Sequence, residues 1–468
     1  MRPLLSVFCI GVASVLAACS PGPDYVRPEV EVPATFKEAG RWRAAALGTL
    51  APQGKWWQAF DDPELDGLEE QVMLDNQNLK QAEASYRAAR ATLDSARSAF
   101  FPTVSLAAAA NRGNTAAAAS VSTPATTTYS LSALASWEID LWGRIRRNVE
   151  SADASLAASA ADLGAARLST QALLAQTYIQ LRTAEAQLDL LQRTIGTYGR
   201  FLELTKNRFA AGVASQLDVA QADTQLSNVE AQAIDAENQR AQFEHAIAVL
   251  VGRPPAVFAI SPVRRLPSPP AIPDLIPSAI LEHRPDIAAA ERRMAAANAQ
   301  VGVAAAAYFP VLDLAGAIGY RNSALWNLID APSRYWSVIP TLAATLFDGG
   351  ARGAAVDQAT AGYDQTVAAY RQTVLTAFQE VEDNLAAARL LAREGDVQER
   401  ALAAARRSRA IAENQYRAGI GSALNVVTAQ SAELFAEVTR IGTESRRLQA
   451  TVQLYVNAGG PWSGLVAQ

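Results

Sequence analysis

The sequence predicts an α+β membrane protein of two structural repeats, with long helices and four membrane strands per chain. Three observations carry that reading. Ala99-Phe100-Phe101-Pro102 returns as Ala307-Tyr308-Phe309-Pro310, and Arg208-Phe209-Ala210-Ala211-Gly212 returns as Gln415-Tyr416-Arg417-Ala418-Gly419. The shift is 208 residues at the first match and 207 at the second, so residues 97–254 are written again at 304–462 with one register change. After each Phe-Pro step the apolar period drops to two, the strand period. Between the strand segments and each tip the period is heptad, with no proline and few glycines. A doubled unit this long makes two similar halves that complete each other.

The start of the chain reads as a lipoprotein signal, residues 1–18. Arg2 supplies the positive charge and Leu4 to Val15 an apolar run too short for a stable bilayer span. Leu16-Ala17-Ala18-Cys19 resembles a lipobox, which makes Cys19 the lipidated first residue of the mature chain, a palmitate-type anchor. Ser20, not Asp, follows it, which by the bacterial sorting rule favours the outer membrane. Residues 19–60 are Pro-punctuated and extended, ending in Trp56-Trp57.

Repeat 1 covers 61–252. Its first helix, 61–99, opens at Asp61-Asp62-Pro63-Glu64 and carries Leu65, Leu68, Val72, Leu79 and Ala82 near helical spacing. Strands are expected at about 103–110 and 130–141. In the second, Leu131, Ala133, Ala135, Trp137, Ile139 and Leu141 share one face, and Ser132, Ser136, Glu138 and Asp140 the other, with Leu134 the exception. From about 142 to 210, Leu174, Leu181, Leu188, Ile195, Leu202 and Phe209 mark heptads, with Thr177, Ala184, Leu191, Tyr198 and Thr205 as companions. A helix of about 68 residues, at about 1.5 Å each, is on the order of 100 Å long. Gly212 breaks it within a tip at about 209–217, and a return helix runs from about 216 to 251.

Residues 253–277 hold eight prolines and read as the linker between repeats. Repeat 2, 278–458, has a helix at 278–307, strands at about 311–320 and 335–347, a long helix, a tip at about 416–424 around Gly419, and a return helix. A tail, 459–468, follows.

Composition removes several function classes. The two cysteines, Cys9 and Cys19, fall in the signal and at the lipid site, so the mature chain carries no disulfide or thiol chemistry. His245 and His283 are too few for a zinc site or a histidine triad, and His283 beside Arg284-Pro285-Asp286 reads as a structural helix start. A net charge of −5 speaks against a nucleic-acid partner. No phosphate-cradling glycine loop ends in Lys-Ser/Thr, so no ATP use is expected. No cofactor, no metal and no enzyme activity are expected. No apolar run of eighteen residues occurs, so any membrane crossing is made by strands. Strands in hydrocarbon must close into a barrel, and four cannot; two copies give eight strands with a filled lumen, three give twelve with an aqueous pore. Trp137, Trp142, Trp326, Trp336, Tyr129, Tyr320 and Tyr335 lie in or beside the strands, as in interfacial girdles.

The chain resembles an outer-membrane factor of the TolC/OprM/NodT-like class. The resemblance rests on Gly22-Pro23-Asp24-Tyr25, Trp56-Trp57, Asp140-Leu141-Trp142-Gly143-Arg144, Arg284-Pro285-Asp286-Ile287, both Phe-Pro steps, Phe347-Asp348-Gly349-Gly350 and the two Gly turns, in that order along nearly the whole mature chain. It implies a homotrimer with one twelve-stranded transmembrane barrel and a periplasmic α-barrel. It further implies the exit channel of a tripartite efflux pump, with a periplasmic adaptor and an inner-membrane transporter of the proton-driven RND type as partners. A type I protein-secretion duct and a structural coiled-coil lipoprotein remain alternatives. The tips then form the periplasmic gate, with Gly212, Asp218, Tyr416, Gly419 and Asn425. Adaptor contacts fall on Val213, Ser215, Leu217, Ile420, Ser422 and Leu424. Asp218 occupies a slot where the second copy has Asn425, and Thr428 stands where another acid is expected. Both slots also suit a helix N-terminus.

Overall fold

The computed structural model describes residues 21–30, 36–39, 55–114, 125–263, 266–267, 270 and 284–457. The signal, Cys19, His283, most of the linker after 263 and the tail lie outside the described residues. The chain divides into two compact units: Met1–Glu29, Ser85–Ala160 and Ala289–Arg371 form one, and Val30–Ala84, Ala161–Ala288 and Gln372–Gln468 the other.

The first unit holds a four-stranded antiparallel sheet in the order β1-β2-β3-β4: β1 Thr103–Gly113, β2 Thr126–Ile139, β3 Val311–Asn322 and β4 Arg334–Ala343. β1 and β2 run past the expected spans toward the hairpin. β4 stops at Ala343, leaving Ala344 and Leu346 beyond it, the latter exposed. The register sorts the side chains by face, with Leu134 and Ile339 the large apolar exceptions on the polar side. Val104↔Ala135, Leu106↔Ala133, Ala133↔Ile318, Ile318↔Trp336 and Leu312↔Leu342 put the apolar residues on one face. Thr103↔Ser136, Ala107↔Ser132, Ser130↔Arg321, Glu138↔Asp313 and Asp313↔Thr341 put the polar ones on the other. Val104, Leu106, Ile318, Trp336, Val338 and Leu342 are all exposed, so none of the described residues covers them. Pro340 sits in β4, an outer strand, where the missing N–H breaks no inner ladder.

The directly opposed acids Glu138 and Asp313 would repel, and Arg144 relieves this by a paired hydrogen bond to Glu138. Trp142 Nε1 donates to the Pro310 carbonyl at 2.7 Å and its ring stacks on Phe309 at 4.9 Å; Trp137 Nε1 donates to the Phe100 carbonyl at 3.1 Å. These two indoles anchor the Phe-Pro steps of both repeats. The Gly-Pro-Asp-Tyr segment is a strap in the same unit. Asn298 Nδ2 donates to the Pro23 carbonyl, Arg147 Nη2 to Asp24, and Tyr25 Oη to Glu291, at 2.9, 2.8 and 2.8 Å.

The remaining helices are α1 Pro63–Asp75, α2 Gln77–Ser98, α3 Arg144–Ala210, α4 Gln216–Leu250, α5 Pro285–Ala306, α6 Ala351–Arg417 and α7 Ala423–Asn457. The single helix expected over 61–99 is two. Asn76 is extended, donates through Nδ2 to the Leu250 carbonyl at 2.8 Å, and accepts at Oδ1 from Leu79 N at 3.0 Å. It ends α1 and caps α2 at once, while the helical apolar spacing runs on across it. Among the described residues, no helix is long and apolar enough to cross a membrane.

In the second unit, Trp56, Leu65, Leu68, Val72, Leu174, Tyr178, Leu181, Ile247, Leu448 and Val452 form one apolar core. The heptad companions Thr177, Ala184, Leu191, Tyr198 and Thr205 are all buried. Asp62 accepts from Glu64 N and Leu65 N as the cap of α1, and from the Tyr178 hydroxyl at 2.7 Å. Burial, reinforced by that bond, pushes the Tyr178 hydroxyl above the usual tyrosine range. The segment after α4 is tied down by charge: Glu185 accepts from Arg182 at 2.7 Å, Arg240 at 3.1 Å and Val263 N at 2.9 Å, and Arg182 also donates to the Ser261 carbonyl at 2.9 Å.

Candidate functional site

The candidate site is the pair of helix–turn–helix tips, α3 to α4 and α6 to α7, both in the second unit. Each long helix stops the same way. In the first tip, Gly212 N donates to Phe209 O at 2.9 Å and Val213 N to Arg208 O at 2.9 Å. In the second, Gly419 N donates to Tyr416 O and Ile420 N to Gln415 O, both at 3.0 Å. That bond pattern needs a left-handed residue at its centre, and Gly212 and Gly419 supply it with φ of 75° and 80°.

The return helices start differently. Ser215 is extended and its Oγ accepts from Asp218 N at 3.2 Å, while Asp218 Oδ2 accepts from Ser215 N and from Ser215 Oγ, both at 2.8 Å. This is a complete capping box, and it also places a carboxylate at the helix N-terminus. In the second tip Ser422 Oγ accepts from Asn425 N at 3.3 Å, and the Asn425 side chain returns no bond. The structure therefore gives Asp218 a capping task and leaves Asn425 exposed.

Phe209 and Tyr416 occupy equivalent positions with opposite fates. Phe209 is 47% exposed and Tyr416 is 4% exposed. Tyr416 is buried with Phe201, Leu202, Ala222, Ala412, Ala423, Val426 and Ala429, a small core joining the two tips. Its ring lies 5.3 Å from the Phe201 ring, and its hydroxyl donates to Thr205 Oγ1 at 3.4 Å. Arg208 covers its other side, guanidinium 4.5 Å from the ring centroid and Nη1 donating to the Tyr416 carbonyl. Arg208 was not among the expected site residues. Its signal was present, because the repeat places Gln415 at the matching position, and a difference between copies marks where the halves are not interchangeable.

Of the expected contact residues, Val213, Leu217, Ile420 and Leu424 are large, apolar and exposed, from 54% for Leu424 to 80% for Ile420. Phe209 joins them. Ser215 and Ser422 are the two caps. The tips thus present an apolar surface on a framework held by glycine turns and caps. Among the described residues no group of acids and histidines is placed to hold a metal ion.

Comparison with known proteins agrees with this arrangement. The family model described as outer membrane efflux protein matches residues 68–253 and 276–460, one match per repeat. The chain is 33% identical over 470 residues to outer membrane protein OprJ of Pseudomonas aeruginosa, spanning 98% of this chain and 97% of that one. It is 32% identical over 465 residues to the pyoverdine export outer membrane protein OpmQ of Pseudomonas putida, spanning 96% of each. The solved outer-membrane channel OprN superposes with a TM-score of 0.89 at 32% identity, over 95% of this chain and all of that one. Two matched repeats, a membrane-suited sheet and paired helical tips lead to one conclusion: the chain belongs to the outer membrane efflux protein family.

Proposed function

We propose that three copies of this chain form the outer-membrane duct of a tripartite efflux pump. The observation that carries the trimer is the four-stranded sheet with β1 and β4 unpaired at its edges, apolar and exposed on one face and polar on the other. Open edges in hydrocarbon cost several kcal/mol for each unpaired backbone group, so the edges must pair with other chains. Twelve strands leave a water-filled lumen where eight would fill it. Cys19, carrying lipid, tethers the chain to the same membrane. The exposed tip residues Val213, Leu217, Ile420 and Leu424 dock a periplasmic adaptor, which links the duct to a proton-driven transporter of RND type in the inner membrane. The cargo is a small molecule, a reading in keeping with the relative OpmQ, whose name is pyoverdine export outer membrane protein. The duct itself uses no cofactor and catalyses no reaction.

The test is direct. Detergent-purified protein should run as a heat-modifiable trimer and conduct ions in planar bilayers. A monomer or dimer that does not conduct overturns the reading. Ala substitution of Leu217 and Leu424 together should abolish adaptor pull-down while leaving conductance intact.

The tip also sets a gate. One acid per chain, Asp218, stands where two equivalent slots exist, the other being Asn425. Such a ring carries less negative charge than one with acids in both slots, and so blocks weakly with multivalent cations. Strong block of the wild type that Asp218→Asn fails to relieve would sink this.

A further inference from the structure

Two arginines on the membrane side of the sheet have no ion-pair or side-chain hydrogen-bond partner among the described residues. Arg112, on β1, follows Val104, Leu106, Ala108 and Ala110 on the apolar face; Arg334, on β4, leads Trp336, Val338, Pro340 and Leu342 on the same face. Both are exposed, and neither makes an ion pair or side-chain hydrogen bond among the described residues. The third arginine at this end, Arg321, belongs to the polar face, opposite Ser130, with its guanidinium 4.8 Å from the Tyr335 ring centroid.

Their depth is fixed by the strands. Val104 to Arg112, and Leu342 to Arg334, are each eight residues. At about 3.4 Å per residue and a tilt of about 40°, eight residues rise about 21 Å, close to the ~25 Å apolar band of such barrels. Each guanidinium therefore emerges at the level where the apolar run of its own strand ends; across the register Arg334 lines up with Tyr320, Leu131 and Ala108, four residues short of Arg112. Tyr129, Tyr320 and Trp336 lie on the same face near those levels. Both levels are at the end of the sheet formed by the two hairpin connections, away from the helix connections, hence the cell exterior.

Neutralising carboxylates are scarce there. The β1–β2 connection, 114–125, contains no charged residue, and the β3–β4 connection, 323–333, contains only Asp330. The acids of the strands, Glu138 and Asp313, sit at the opposite end on the polar face. A chain of net charge −5 thus exposes two uncompensated cations to the outer leaflet. An unpaired arginine facing lipid is satisfied by phosphate, which it binds through two parallel N–H donors.

We propose that Arg112 and Arg334 bind the phosphates of anionic glycolipid, bisphosphorylated lipid A, in the outer leaflet. The site rests on the membrane-spanning reading of the sheet. It would seat lipid at both edges of each protomer's sheet, where neighbouring chains meet in the proposed trimer.

Native mass spectrometry of the detergent-purified full-length oligomer, titrated with lipid A, tests it. Wild type should retain lipid A, and Arg112→Gln/Arg334→Gln should bind at least about tenfold more weakly, the loss expected for charge-assisted hydrogen bonds. Arg321→Gln, on the lumen face, should bind as wild type. Inorganic phosphate at matched concentration should not displace the lipid. Unchanged binding by the double variant, equal loss in Arg321→Gln, or displacement by inorganic phosphate overturns the site. If the double variant does not assemble, wild type decides: equal affinity for bisphosphorylated and dephosphorylated lipid A overturns it. Bilayer conductance is read on the same samples. A wild type that does not conduct counts against the channel, whereas one that conducts without preferring phosphorylated lipid counts against this site alone.

Discussion

Arg208 and Tyr416 tie the first tip to the second: the guanidinium lies 4.5 Å from the ring centroid and donates to the tyrosine's own carbonyl. The stacking is worth about 0.5–1 kcal/mol and the charged hydrogen bond about 1.5–3 kcal/mol. Arg208→Ala should therefore raise amide hydrogen exchange across both 205–217 and 412–424. Tyr416→Phe keeps the ring and the carbonyl and loses only the 3.4 Å bond to Thr205, so its exchange should stay near wild type. Equal loosening in both variants would contradict the staple.

The unequal caps predict unequal mutations. Asp218→Ala removes half of a capping box and should cost about 1 kcal/mol, whereas Asn425→Ala should cost close to nothing, since its side chain makes no bond. Asn425→Asp should stabilise the second tip by about 0.5–1 kcal/mol through a new box and a charge at the helix N-terminus. Exchange protection of residues 423–427 reads the effect, and a loss of protection in Asn425→Asp refutes it.

Glu185 should be costly to remove. Arg182 and Glu185 have side chains 2% and 3% exposed. Glu185→Gln leaves the Arg182 charge buried without its partner, a loss of about 3–5 kcal/mol. Replacing both by apolar residues, Arg182→Met with Glu185→Leu, should cost less than the single change. Denaturant or thermal melts of the purified protein order the three, and a single variant as stable as wild type refutes the argument.

Glu69 makes stability depend on pH. Both its carboxylate oxygens are buried without a hydrogen-bond partner among the described residues. Burial, aided by the nearby Asp66 carboxylate, raises its pKa well above the ordinary glutamate range. The folded state therefore holds a proton that the unfolded chain releases near pH 4.3. The associated stability is fully present below that pH and is lost as pH rises through the raised folded value. Glu69→Gln should match wild type at about pH 4.5 and melt higher at about pH 8. An unchanged pH slope in the variant excludes Glu69 as its source.

The repeat, the strand faces and the glycine turns were legible because each is a local or periodic signal. Alternation in β2 reports which side chains share a face, and the register confirms it, with Ala133 opposite Ile318 and Glu138 opposite Asp313. The break at Asn76 was not legible. The apolar spacing from Leu65 to Leu79 continues through it, and the bond that breaks the helix goes to Leu250, which is remote in sequence.

By itself, the sequence determined the two copies, their strands and helices, and the turn at each tip, because period and glycine placement act within a few residues. Only the tertiary structure decided what each copy does with the same slot. Phe209 and Tyr416 are equivalent in the repeat, yet one faces solvent and the other is buried under Arg208. Asp218 and Asn425 are equivalent too, yet only one closes a capping box. The reason is physical: burial and pairing belong to the surroundings of a residue, and a duplicated chain cannot pack both of its copies into the same place.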